Sequence, residues 1–146
     1  MKKFLLTAAL TIFATAASSQ SAIFYSTVES FDDVTFSIES AILDKGLVID
    51  NVSHVGEMLN RTGADVGSTV AIYDAADVYS FCSATVSREV MEVHAMNIVY
   101  CPYGIFVAQL SGSDETIVGF QEYPAGEMKM VQDLLDGIVK SALDLD

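Results

Sequence analysis

The sequence predicts an α+β domain built as a two-layer sandwich, a mostly antiparallel sheet with helices on one face. Three observations carry this reading. A helix with one apolar face stands between two β-like runs near the start, two β-rich runs flank a short polar loop over residues 103–123, and a second one-faced helix follows them. A helix with a single apolar stripe must bury it against another layer, and the hairpin makes that layer antiparallel.

The elements follow in order. Residues 22–28 (AIFYSTV) are rich in β-branched and aromatic side chains and read as the first strand. Ser30 opens a helix, with Asp32 and Asp33 in its first turn facing the positive end of the helix dipole. Phe31, Val34, Ile38 and Ile42 recur at three- and four-residue steps as one apolar face, and Gly46 stands at the left-handed cap position. Residues 47–52 are expected as a second strand and residues 53–63 as a short helix closed by Gly63. Residues 69–73 and 78–82 read as two short β pieces around the polar Asp74 and Asp77. Residues 83–94 fit a helix with Val86, Val90 and Val93 on one side.

Residues 103–110 (YGIFVAQL) and 116–123 (TIVGFQEY) form the hairpin, and Pro124 and Gly126 break the chain after it. Residues 128–143 close the domain as a helix whose face carries Val131, Leu134, Leu135, Ile138 and Ala142. Gly137 inside that helix costs about 0.5–1 kcal/mol relative to alanine, so a neighbouring backbone packed close against it is expected.

Ahead of this domain, Lys2 and Lys3 precede an apolar run over residues 4–15, followed by the small residues Ala16, Ala17, Ser18 and Ser19. That order is a secretory signal peptide, expected over residues 1–21 with the cleavage bond left open. The run is well short of the roughly 20 residues that cross a bilayer. The expected product is a single domain over residues 22–146, periplasmic or secreted and not membrane-embedded.

The chain holds 20 acids and 7 bases, a net charge of −13; loss of Lys2 and Lys3 leaves 5 bases against 20 acids, or −15. Nucleic acid and anionic lipid require clustered Lys and Arg, whereas Lys45, Arg61, Arg88, Lys129 and Lys140 are scattered. Nucleic-acid binding is set aside on that ground. The acidic surface steers a basic protein or a cation, or serves solubility alone.

Two cysteines remain, Cys82 and Cys101, outside any CxxC motif. An oxidising compartment permits their pairing, and closing a loop of about 18 residues would contribute about 3 kcal/mol in the chain-entropy view. The alternative is two separate buried thiols; a structural disulfide between Cys82 and Cys101 is the expectation.

No residue cluster specifies a reaction. His54 and His94 stand near element ends, where capping or surface roles account for them, and no G-x-S-x-G elbow accompanies them. Met91, His94, Met96 and Cys101 lie close along the chain and offer thioether, imidazole and thiolate, a donor set suited to Cu(I). Methionine also fills gaps in cores, so copper handling through these four residues is the alternative reading and no cofactor the primary one. Asp32 with Asp33, and Asp114 with Glu115, fit a helix start and a hairpin loop better than paired catalytic carboxylates. Asn51-Val52-Ser53 and Asn60-Arg61-Thr62 match glycosylation sequons that matter only on a eukaryotic secretory route.

The run SFDDVTFSIESAILDKGLVIDNVSHV, then NIVYCPYGIFVAQL with Pro102 entering the hairpin, then EYPAG before the last helix, resembles the domain-of-unknown-function 302 family of bacteria and archaea. The resemblance covers residues 23–145. It implies a β-α-β(4)-α sandwich like that of the TATA-box-binding protein, often dimeric, with no agreed activity and no catalytic residues to carry over. The expected function is that of a non-catalytic periplasmic binding or interaction module, acting on a protein partner or a small ligand; copper handling comes second and an enzyme of unknown class third.

Overall fold

The computed structural model describes residues 21–145; apart from Ser21, the expected signal segment lies outside the described residues. Strand β1 (Ala22–Thr27) leads into helix α1 (Phe31–Asp44). Ser30 caps α1 as its sequence position required: its hydroxyl accepts the Asp33 N–H at 3.2 Å and donates to the Asp33 carboxylate at 2.6 Å. Val34, Ile38, Ala41 and Ile42 bury along one stripe, Phe31 is half-buried beside them, and Gly46 leaves the helix at φ +72°.

Strand β2 (Val48–Ser53) is followed by helix α2 (Val55–Thr62). Gly63 does not terminate this segment in a left-handed conformation; its φ is −54°, the chain makes a further 3-10 turn (Ala64–Val66), and Gly67 takes the left-handed position at φ +73°. The two short β pieces expected around Asp74 and Asp77 are one strand, β3 (Tyr73–Cys82), with a bulge between Tyr73 and Ala75. Each carboxylate finds a partner without interrupting the ladder. Asp74, in the bulge, accepts from the Ser111 hydroxyl at 3.0 Å and the Gly112 N–H at 3.1 Å, and Asp77 meets His54.

Helix α3 (Ala84–Val93) starts at Ser83, whose hydroxyl accepts the Val86 N–H. Its inward stripe is rotated from the expected one: Val90 is buried and Val86 and Met91 pack on the core, while Val93 is 67% exposed. On that inward side Ser87 and the Tyr103 hydroxyl share a hydrogen bond of 2.9 Å. A 3-10 turn (Ala95–Tyr100) that periodicity does not announce then returns the chain to the sheet, held by Asn97, which is buried and donates to Val90 O and Glu127. The Cys101–Pro102 peptide bond is cis. Strands β4 (Tyr103–Leu110) and β5 (Thr116–Gln121) form the expected hairpin, and helix α4 (Lys129–Ala142) closes the domain. Val131, Leu135, Ile138 and Val139 are its buried residues; Leu134 and Ala142 flank them, half-buried.

The sheet is antiparallel throughout, in the order β1-β5-β4-β3-β2. The first two strands therefore occupy opposite edges, and α1 carries the chain across one face between them. On that face α1 packs against α4, and α4 against α3. The core lies between these helices and the inward residues Tyr79, Phe81, Tyr103, Ile105, Val107, Val118 and Phe120. This is the two-layer α+β sandwich the sequence predicts.

A Cβ added at Gly137 would meet nothing within 4 Å, so the close backbone expected there is absent. Close approach occurs instead at Gly56, where a Cβ would stand 2.5 Å from Ala76 N, and at Gly119 in β5.

Candidate functional site

Antiparallel pairing puts alternate residues on opposite faces of the sheet. The residues that alternate with the core set form a second face that α1, α3 and α4 do not cover; α2 packs against β3 at Ala76, and Ala76 and Ala108 on this face are buried. Its central row crosses all five strands as Phe24, Gly119, Phe106, Val78 and Ser53, each opposite the next in register. A parallel row on one side runs Ser26, Ile117, Ala108 and Ala76; on the other stand Ala22 opposite Gln121, and Gly104, Ser80 and Asn51 in register. No ionisable side chain occurs in these rows, in a chain with 20 acids. Phe24 is 61% exposed, and Val78, Phe106 and Ile117 are half-exposed. A Cβ at Gly119 would lie 2.8 Å from the Phe106 ring at Cζ and 2.7 Å from Phe24 Cβ, and closer still to the Ile23 carbonyl oxygen, so the strand pair leaves room there for glycine alone.

Apolar runs within the strands are the sequence signal for this face. A sheet with one solvated face alternates apolar and polar residues, whereas strands covered on both sides read as continuous apolar runs. AIFY in β1, GIFVA in β4 and IVGF in β5 are of the second kind.

A second cluster lies where β3 passes into α3 and the chain returns to β4. The pairing of Ser80 with Gly104 and Phe81 with Tyr103 places Cys82 across from Pro102, one residue from Cys101. The two thiols are half-buried and free, and Cys101 and the Tyr103 backbone are among the neighbours that act on the Cys82 sulfur. Burial, followed by the Cys101 contact, pushes the Cys82 thiol up to about 12. Aromatic rings pack around this end of the sheet: Tyr123 lies 5.7 Å from Tyr100 and 6.3 Å from Tyr103, centroid to centroid. Burial also pushes the Tyr123 hydroxyl up to about 12.

A third location is a cleft lined by Phe31, His54, Glu57, Asn60, Asp74 and Asp77. His54 precedes α2, and its Nδ1 lies 2.9 Å from Asp77 Oδ1 on β3. The Asp77 hydrogen bond, then its charge, raises the imidazole above its ordinary 6.5. Among the described residues no serine or cysteine hydrogen-bonds to that ring. The pair can hold a proton and orient an imidazole, and it supplies no nucleophile.

The four soft-metal candidates occupy different surroundings. Met91 packs against the core, Met96 is 61% exposed on the 3-10 turn, His94 is exposed at the end of α3, and Cys101 is half-buried beside Cys82. Cys82 and Cys101 are thus the only two residues from the predicted site positions that the described contacts bring together.

No helix among the described residues is long and apolar enough to cross a membrane. No protein-family model and no curated protein matches the chain. Among solved structures, the chain is similar to one described as an uncharacterized conserved protein DUF302 from Bacillus stearothermophilus, with a TM-score of 0.59 and 15% sequence identity over 84% of this chain and 88% of that one. At that identity the likeness speaks for the fold: this chain has the DUF302-like α+β fold, as its sequence resemblance implied.

Proposed function

We propose that the protein is an exported, non-catalytic interaction module whose working surface is the open face of the sheet, and that the face pairs with a second copy of the same chain. The observation that carries this reading is the uncharged character of that face: Phe24, Phe106, Val78 and Ile117 stand among small and neutral polar residues across five strands.

With a net charge of −13, or −15 after loss of the signal segment, two copies repel each other over most orientations. Stacking the open faces brings apolar side chains together without setting carboxylates of the same rows opposite one another. Two sheets pack face to face at about 10 Å, in a two-fold arrangement where one patch meets itself. Five strands at about 4.8 Å spacing and six residues at about 3.3 Å rise give a footprint of roughly 400 Å² per copy. That is about half the ~800 Å² per partner of a standard interface, so the pairing is weak and concentration-dependent.

Sedimentation velocity on residues 22–146 over a wide concentration range tests this. The average mass should rise with concentration, and Phe24→Asp, at an exposed position, should hold the chain monomeric with an unchanged circular dichroism spectrum. A wild-type chain that stays monomeric throughout would overturn self-pairing, as would an association that Phe24→Asp leaves intact. Support for export rests on the order of basic, apolar and small residues at the N-terminus.

A further inference from the structure

We propose that Cys82 and Cys101 are a redox cross-linking site, oxidised to an intrachain disulfide by a small-molecule disulfide such as oxidised glutathione. The site is independent of the open-face reading. Three features place it. The β3–β4 register sets Cys82 opposite Pro102 and thus one residue from Cys101. The two thiols lie close enough to act on each other, Cys101 being the principal neighbour that, after burial, raises the Cys82 thiol. Both cysteines are half-buried rather than enclosed, which leaves the pair reachable from solvent.

The position gives the bond a structural consequence. Cys82 is the last residue of β3 and Cys101 lies two residues before β4, so the bond closes the whole excursion through α3 and the 3-10 turn at its base. That excursion carries Val90 into the core and Asn97 onto Val90 O and Glu127. The reduced chain holds it by packing and hydrogen bonds, and the oxidised chain adds a covalent tie.

The chemistry balances as thiol–disulfide exchange. Either thiol can open the exchange; when Cys101 does, the step begins with loss of its proton to solvent. Its thiolate bonds to one sulfur of oxidised glutathione, whose S–S bond breaks and releases one glutathione thiolate. That thiolate takes the Cys82 proton. The Cys82 sulfur then attacks the Cys101 sulfur and displaces the second glutathione, which takes up the proton Cys101 first lost. Two protein thiols are oxidised, and one oxidised glutathione becomes two reduced ones.

The test uses purified, folded protein of residues 22–146, incubated with excess oxidised glutathione, then denatured, alkylated and weighed intact. The expected product has lost two hydrogens, takes up no alkylating agent and yields one peptide pair joined through Cys82 and Cys101. Cys82→Ser should stop instead at a stable glutathione adduct on Cys101. Because the strand register holds the pair near each other in the folded chain, its disulfide should survive more reducing glutathione than the same bond in urea. Two alkylated cysteines, glutathione on both residues, or a bond no harder to reduce in the folded chain than in urea would each overturn the proposal.

Discussion

Replacing Gly119 by alanine is expected to destabilise the domain although it adds a single methyl group. On the unchanged β5 backbone, the new Cβ would lie 2.7 Å from Phe24 Cβ and 2.8 Å from Phe106 Cζ, and closer still to the Ile23 carbonyl oxygen. Carbon atoms reach their best separation at about 3.5–4.0 Å, so both carbon contacts overlap by about 1 Å. The Phe106 ring is the end of a side chain and can turn away. Phe24 Cβ and the Ile23 carbonyl are fixed to β1, which pairs with β5 through Ile23–Phe120 and Phe24–Gly119, so relief there requires the two strands to separate locally.

Overpacking of this kind costs about 1–3 kcal/mol, offset by about 0.4–1 kcal/mol from the smaller entropy of the unfolded alanine chain. The net loss is about 1–2 kcal/mol. With a urea slope of about 2 kcal/mol per molar, the midpoint should fall by roughly 0.5–1 M at unchanged slope. Measurement at low protein concentration keeps self-association out of the comparison. Gly137→Ala, in open space on α4, is the control of opposite sign and should gain about 0.5–1 kcal/mol. A Gly119→Ala midpoint equal to or above the wild-type value would refute the packing argument, and so would equal shifts at the two glycines.

Ile38→Ala removes a fully buried side chain between α1 and the sheet and should cost about 2–4 kcal/mol in the same urea assay. The His54 ring should titrate above 6.5 by NMR, because the Asp77 hydrogen bond and charge favour its protonated form. That tie is complete below pH 6.5 and is lost as pH rises through the raised midpoint; Asp77→Asn should lower the midpoint toward 6.5. Protein recovered from its native host should begin between residues 17 and 23 on N-terminal sequencing, and an intact Met1 on a membrane-embedded product would contradict the signal-peptide reading.

Element types and the inward faces of α1 and α4 were legible because each depends on residues a few positions apart. Ser30, Asp33 and Gly46 punctuate α1 by local hydrogen bonding and backbone freedom, and both are written in order along the chain. The break expected within β3 failed for the opposite reason. Asp74 and Asp77 look like loop residues until Ser111, Gly112 and His54 arrive from elsewhere to bond them. Spacing points Val93 inward, whereas α3 docks with Val90 in the core and Ser87 bonded to Tyr103, 16 residues away, and leaves Val93 outside.

By itself, the sequence determined an acidic α+β domain with a hairpin and two one-faced helices, since charge and period are properties of composition and of near neighbours. Only the tertiary structure decided the strand order, the approach of Cys82 to Cys101, and the joining of Phe24, Gly119 and Phe106 into one uncharged row. Those depend on strands that are distant in sequence coming into register, where a shift of one residue would send every side chain to the other face.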